Sequence, residues 1–565
     1  MDLRELQAKL APMGLSSFGR CEGCVEATLR AVSLALDAFL GKPVDPEIRK
    51  QVQEEMETYR DHLEKNTDEL LGSAPGHRHT RIMVTLPSEA AKDPVLVRDW
   101  LARGMDCARI NMAHDSPEAW EAMVQHVRRA EVATGRSCRI LMDLGGQKLR
   151  IGILADALPA VQLKVKRDAR GQVLQAARAI LDASGAKGCQ AGRDGKGMRT
   201  VAHIQVDANW LRGLRVGDTA TFTDLLGKRR SLEVTKAEGP EAYRVRCATN
   251  AYLEPGLELE HRPKGKKKVR RCRVGPVLPR PVKIMVFEGD FLRLTGPEYP
   301  GQPAVFDEMG ELLCCAHVPC ENAEVFRFLR PGERVSINDG AIEAEILQGG
   351  AEDALLQITK ARVEGEKLRS EKGINFPDSQ IGLSALSSDD LEHLPMVARL
   401  ADLVGFSFVQ EPEDLDQLMT ELARYTERSL PILAKIETAR AVQNLPHLIA
   451  HGAGQRAFGV MIARGDLAVE IGYERLAEMQ EELLWLCEAA HVPVVWATQV
   501  LEKMVKRGVP TRAEMTDAAM SMRAECVMLN KGPHIAEALA LLDGVEDRMH
   551  SHLEKKRPML RALRW

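Results

Sequence analysis

Eight short apolar runs, separated by stretches of helical periodicity, restrict the fold of this chain more than any other feature. They lie at 80–86, 107–112, 139–145, 401–409, 430–437, 457–466, 493–499 and 525–532. Apolar runs of this length read as strands buried on both faces. Between them stand amphipathic helix candidates such as "PVLVRDWLARG", "PEAWEAMVQHVRRAEVATG" and "ERLAEMQEELLWLCEAAH". Strands alternating with such helices are parallel β-α units, so the class is α/β. The number eight favours a closed (β/α)8 TIM barrel over an open doubly wound sheet.

One connection is far too long for a β-α loop. More than 250 residues separate Asp143 from the run at 401. Here "LRVGDTATFTDLLGKRRSLEVTKA" and "LRPGERVSINDGAIEAEILQGGAEDALLQITKA" show antiparallel β patterns with glycine turns. Leu214-Arg215-Val216-Gly217-Asp218 recurs as Leu329-Arg330-Pro331-Gly332-Glu333, 115 residues later, which reads as one β-module present twice. Between the copies, the basic stretch 261–275 reads as a solvated loop, with an anion-attracting edge as the alternative. Residues 1–78 read as helices, with Asp45-Pro46 as cap and first turn and 73–79 as a linker. The expected division is a helical extension at 1–78, a barrel from 79–150 and 376–565, and an enlarged β-rich lid at 151–375 inserted after strand three.

With 565 residues, 45% hydrophobic and 28% charged, the composition is that of a globular multidomain chain. A net charge of −4 gives no support to a nucleic-acid or membrane partner. No apolar run is long enough to span a bilayer, and "MDLRELQAKL" lacks a signal-peptide core, so a cytoplasmic location is expected. The twelve cysteines fit reduced thiols, and Cys21-x-x-Cys24 has no second ligand pair that would argue for zinc.

Chemistry in such a barrel sits at the C-terminal ends of the strands. The second strand delivers Arg109 and Asn111, with His114 beyond, and the third delivers Asp143, with Arg150 seven residues on. The fifth gives Lys435 and Glu437, two apart and hence on one face; the sixth gives Gly465 and Asp466; the seventh gives Thr498 and Gln499. Each could be a surface ion pair taken singly. Together, paired carboxylates suit Mg²⁺, which fills its shell with water and substrate oxygens, and adjacent Arg and Lys suit a phosphoryl group. The set describes phosphoryl transfer.

The chain resembles the pyruvate kinase family. "CARINMAHD" is similar to that family's A-R-x-N-x-S-H-G, and "LMDLGGQKLRIG" to its L-D-T-K-G-P-E-I-R-T-G. "LAKIET", "VMIARGDLAVEI", "VVWATQVLEKMVKRGVPTRAEMTDAA" and "ECVML" follow in family order, over roughly 80–152 and 330–545. The resemblance implies a (β/α)8 barrel with a β-domain after strand three, and the glycolytic transfer from phosphoenolpyruvate to ADP, giving pyruvate and ATP. It implies that Glu437 and Asp466 hold Mg²⁺ (or Mn²⁺), and that Lys435 stabilises the transferring phosphoryl. Arg109 and Arg150 would hold phosphates, and Thr498 would lie near the carbon that is protonated. The backbone at Gly465 and Asp466 would receive the substrate carboxylate through two open N–H groups. His114, with Arg109 and Asn111, would lie near the nucleotide, and Asn111 and Asp143 in the monovalent-cation region. Family members that need K⁺ carry Glu where this chain has Lys148, so K⁺ is not expected to be required.

Departures cluster in two places. The eighth strand leads into Asn530-Lys531-Gly532-Pro533 where the family pattern reads S-G-E-T. Ala113 and Leu144 stand where the pattern has Ser and Thr. The chain ends 35 residues after Asn530, so the family's regulatory domain and usual tetramer are not carried over, although a homo-oligomer is compatible with the resemblance. Two other readings compete: a related phosphoenolpyruvate/pyruvate barrel with a different acceptor or C–C lyase chemistry, and a degenerate ligand-binding homologue. The eighth-strand change favours the last, and Lys435, Glu437, Asp466 and Thr498 oppose it.

Overall fold

The computed structural model describes residues 4–13, 15, 18, 21–157, 159–185, 188–189, 192–193, 199–239, 241–263, 268–550, 553–554 and 557–558. Lys264, Lys266 and Lys267 of the basic stretch therefore lie outside the described residues.

Eight parallel strands close into a barrel: β1 (Arg81–Thr85), β2 (Cys107–Asn111), β3 (Arg139–Asp143), β4 (Leu403–Phe406), β5 (Ile432–Ile436), β6 (Phe458–Ala463), β7 (Val494–Ala497) and β8 (Cys526–Leu529). β8 returns to β1, with Val84 beside Leu529. Side chains alternate, so each strand contributes to two environments. Outward residues such as Ile82, Ile110, Ile140, Val404 and Ile462 pack under the surrounding helices in the largest core. Inward residues near the strand starts form a separate apolar layer with Met83, Leu141, Leu433, Met461 and Met528.

That inner layer is closed from below by the N-terminal extension. Helix α1 (Pro46–Leu71) starts on Asp45, whose side chain accepts from Glu47 N–H, with Pro46 in the first turn. Its last two residues, Leu70 and Leu71, are buried in the inner layer. A Cβ at Gly459 would lie 2.3 Å from Leu70 Cδ2, so the approach of helix to strand requires glycine there. Arg81 fastens the junction, donating to Gly72 O at 2.9 Å and pairing with Asp68. The segment 73–79, expected as a linker, is pinned: Arg78 is buried and pairs with Asp106 and Asp543, each at 2.8 Å. The reason is burial of a guanidinium, which demands carboxylate partners, here from the residue before β2 and from the helix Ile535–His550 after β8.

Between β3 and β4 the chain builds two larger sheets. In the first, the order is Ala202–Gln205, Ala177–Asp182, Ala242–Cys247, Arg229–Gly239, Thr219–Thr223, Glu258–His261, Arg270–Arg273. In the second it is Ala316–Pro319, Phe291–Thr295, Asp353–Lys360, Ile342–Gly349, Arg334–Ile337, Ile374–Asn375. The opening pair is parallel in both. The two similar turns also share a hydrogen-bond set: Gly217 N–H reaches Val234 O at 2.9 Å, and Gly332 N–H reaches Ile346 O at 2.8 Å. Both glycines have positive φ, +91° and +87°. Each sheet has its own apolar core. The second is joined to the barrel, since Leu149 enters its core and Tyr473 Oη donates to Asp339 O at 3.4 Å. No described helix is long and apolar enough to cross a membrane.

Candidate active site

The inward rows that are apolar at the base of the barrel become ionisable at its mouth. Following Leu141 inward is Asp143; following Leu433 are Lys435 and Glu437; following Cys107 are Arg109 and Asn111. Asp143 is completely buried and accepts from Arg109 Nε at 2.7 Å, while Arg109 Nη1 donates to Thr85 Oγ1 at 3.1 Å. Lys435 Nζ lies 3.6 Å from Asp143 and 3.2 Å from Glu437. It donates to Ser407 Oγ at 2.6 Å, and that hydroxyl donates to Leu144 O at 2.7 Å. Glu437 also accepts Phe408 N–H at 2.8 Å.

Burial by itself would raise the Asp143 carboxyl, but Lys435 and Arg109 outweigh it and hold the group below its ordinary value. Burial likewise works against charge on Lys435, and Asp143 and Glu437 overcome it, keeping the amine above its ordinary value. Burial pushes the Glu437 carboxyl up, with Lys435 opposing and Asp466 adding to the rise. Glu437 and Asp466 thus repel across the mouth, which is what a divalent cation relieves.

β6 ends at Ala463, and Arg464–Ile471 form helix α2, so Asp466 stands in the first turn of a helix rather than on the strand. The Asp466 carboxylate takes Lys148 Nζ at 2.5 Å. Gly465 N–H donates to Thr498 Oγ1 at 2.9 Å, so the expectation of two open N–H groups here is corrected: the Thr498 hydroxyl already occupies one. Arg464 organises this corner. It forks onto Asp517 at 2.6 and 2.9 Å, donates to the carbonyls of Ala497 and Thr498, and lies 4.9 Å from the Trp496 ring. Thr498, Gln499 and Leu501 have φ of +64°, +61° and +49°, a strained run held by these contacts.

Arg109, Asn111, His114, Lys148, Arg150, Lys435, Glu437 and Asp466 line one cavity of about 300 Å³. Thr498 and Gly465 adjoin it next to Asp466, and the buried Asp143 contacts Lys435 of its lining at 3.6 Å. Arg150 donates to Glu371 O at 3.1 Å. His114 is held below its ordinary value, first by burial and then by Lys531 and Arg150. Lys531 of the altered eighth loop is thus close enough to act electrostatically on His114. Two carboxylates without further His, Cys or Asp/Glu ligands form the donor set; among the described residues no group of three or more such side chains could hold a metal. Hard oxygen donors in that number fit Mg²⁺ completed by substrate and water, and do not fit a zinc site.

Several residues of the site escaped the reading of the sequence. Ser407 and Phe408 follow an uncharged strand; only the inward parity of Leu403, Gly405 and Ser407 could have marked the serine. Gly405 has no side chain to signal anything, yet a Cβ there would stand 2.5 Å from Asp143 Oδ1. Asp339, Glu371 and Lys372 line the cavity from the second β-module, more than 190 residues from Asp143 in sequence, beyond any local pattern. Asp390 accepts from the N–H groups of Gly145 and Gly146 at 2.9 and 3.0 Å, fixing the loop that carries Lys148.

The closed barrel, with buried ion pairs and a cationic rim at its strand C-termini, defines the (β/α)8 barrel class. The family model for the pyruvate kinase barrel domain matches residues 77–181 and 314–534, and the chain belongs to the pyruvate kinase family. It is 30% identical to the pyruvate kinase of Thermotoga maritima over 253 residues, which cover 43% of this chain and 52% of that one. It is 32% identical to the pyruvate kinase of Hypocrea jecorina over 222 residues, 38% of this chain and 40% of the relative. The matches thus span about half the length of these curated relatives. A crystal structure of a pyruvate kinase from Cryptosporidium parvum shares the fold, with a TM-score of 0.54, 19% identity, and coverage of 86% of this chain and 73% of that one.

Proposed function

We propose that the chain is a pyruvate kinase-type phosphotransferase, carrying the phosphoryl group of phosphoenolpyruvate to ADP. Lys435 carries this reading: a buried ammonium between Asp143 and Glu437, facing a cavity whose rim holds Arg109, Arg150 and Lys148. In the transfer, the bond from phosphorus to the enol oxygen breaks as one to the terminal ADP oxygen forms. Lys435 stabilises charge on the equatorial phosphoryl oxygens, and its fixed partners spare it reorganisation. Arg109 and Arg150 bind phosphate, and His114, held below its ordinary value by burial and then by its cationic neighbours, lies beside the nucleotide. Thr498 sits where the enolate carbon receives its proton. Glu437 and Asp466 would hold Mg²⁺, which when bound neutralises phosphate and carboxylate oxygens. Lys148 supplies the positive charge a monovalent cation would bring, and its contact with Asp466 supports K⁺-independent activity. We further propose the division into residues 1–78, a barrel of 79–150 and 376–565, and a lid of 151–375 whose two β-modules are copies of one unit.

The test is a coupled assay of pyruvate formation from phosphoenolpyruvate and ADP with Mg²⁺ in K⁺-free buffer. Pyruvate formation that depends on both substrates supports the proposal, and its absence refutes it. Lys531 in the eighth loop favours a second reading, the same barrel with another phosphate acceptor. Phosphoenolpyruvate consumption that ADP does not accelerate, but another acceptor does, would establish it.

A further inference from the structure

A second cavity, of about 400 Å³, adjoins the catalytic one. Lys148 and Phe408 line both, so they form a common wall. The remaining walls are the chain returning from the second β-module (374–385), the loop after β4, the first turns of the helix after β5, and Glu470.

The charges around this cavity are already satisfied. Lys148 is on Asp466 at 2.5 Å, Arg440 on Glu411 at 2.5 Å, and Asp378 on Arg334 at 2.7 Å. Glu470 accepts from Asn375 Nδ2 at 2.9 Å. An anionic or cationic ligand would have to break one of these pairs to gain a partner. The side-chain amides of Gln147, Gln380, Gln410 and Gln443 differ: they line the cavity, those of Gln380 and Gln443 from exposed positions, and make no hydrogen bond to any described residue. Each offers two N–H donors and a carbonyl acceptor, the pattern that meets vicinal hydroxyls. Phe408 adds an apolar ring and buried Ile374 and Phe376 an apolar floor, onto which the C–H face of a sugar ring packs.

We propose that this cavity is a binding site for an uncharged, hydroxylated sugar ring, free or as part of a nucleoside, and that its occupancy is communicated to the catalytic centre. The link is Phe408. Its ring bounds the second cavity, its φ is +55°, and its N–H holds Glu437 at 2.8 Å. A ligand resting on that ring fixes the backbone that positions Glu437. The binding claim is independent of the reaction; the coupling claim rests on the phosphotransferase reading.

The experiment is calorimetric titration of the full chain with D-glucose, D-ribose and adenosine, each to tens of millimolar. Saturable binding of at least one is expected, weakened at least about tenfold in a Gln380→Leu/Gln443→Leu double variant that keeps its circular dichroism spectrum and melting temperature. Adenosine without glucose or ribose points to a nucleoside; the free sugars point to a carbohydrate. No saturable binding by any probe overturns the site. So does binding that the double variant retains, or adenosine binding that MgADP displaces with no sugar binding, which assigns the ligand to the catalytic cavity. Glucose 6-phosphate binding more tightly than glucose overturns the uncharged class. Altered KM or kcat with the bound probe, lost in the double variant, confirms the coupling, and unchanged kinetics despite binding overturns the coupling alone.

Discussion

The two ends of the barrel are built by the same strands and the same inward-facing rows, yet they obey opposite rules. At the base, Met83, Leu141, Leu433 and Met461 meet Leu70 and Leu71 of α1 in a closed apolar layer. At the mouth, the next inward positions are Arg109, Asp143, Lys435 and Glu437, buried to a similar degree but held by ion pairs. Burying apolar groups stabilises without direction, whereas burying charges is neutral at best and retains them in a fixed geometry. The base is thus a stability device, and the mouth sacrifices stability for orientation.

Substitutions should separate the two ends. Asp466→Asn and Glu437→Gln are expected to lower kcat by roughly 10³-fold or more with little change in melting temperature, because water cannot replace an anionic metal ligand. Steady-state kinetics across Mg²⁺ concentrations, beside thermal melts, check this; normal turnover at limiting Mg²⁺ would remove both from the metal site.

Lys435→Met should break the comparison instead. It leaves Asp143 and Glu437 buried without their shared cation, so both activity and stability fall, the latter by about 3–5 kcal/mol. Phosphoryl transfer should drop by about 10²–10³-fold while pyruvate proton exchange is better spared. Equal loss of both half-reactions would assign Lys435 to protonation or folding.

At the base, Leu70→Ala should cost about 2–5 kcal/mol in denaturant unfolding and leave kcat/KM of the folded enzyme unchanged. A catalytic defect in that variant would mean that the ends are coupled.

A smaller effect is expected at Lys148. Wild-type activity in tetramethylammonium buffer should not rise on adding K⁺, and Lys148→Glu should acquire K⁺ dependence. Strong K⁺ activation of the wild type would show that the Lys148–Asp466 contact does not replace the ion.

The smallest effect concerns Glu470. Burial is the main cause that raises its carboxyl from 4.5 to about 7. The native state then binds a proton the unfolded chain has lost, so this contribution is complete below the unfolded value and disappears as pH rises through 7. Glu470→Gln should flatten stability between about pH 5 and 7, by on the order of 1–3 kcal/mol. An unchanged pH profile would place the carboxyl at its ordinary value.

Much of this was legible in one dimension. The eight apolar runs contain all eight barrel strands, because strands buried on both faces need continuous apolar sequence. The long gap announced the inserted β structure, and the LRVGD and LRPGE segments marked two turns with one geometry. Motif spacing singled out eight of the residues that line the cavity at the barrel mouth. Less legible were residues whose role depends on what approaches them: Ser407 and Gly405 carry no chemical signature, and Asp339 and Lys372 arrive from a distant module.

The sequence by itself determined the barrel, the insertion point and the ionisable residues of the mouth, since periodicity and strand-end position are local properties of the chain. Tertiary structure decided which of those groups are free. It placed Lys148 on Asp466, occupied the Gly465 N–H with Thr498, put Leu70 and Leu71 into the barrel base, and left four glutamine side chains without a described protein partner around a second cavity. These depend on side chains meeting across hundreds of residues, where the competition for each hydrogen bond and each buried volume is settled only when the barrel closes.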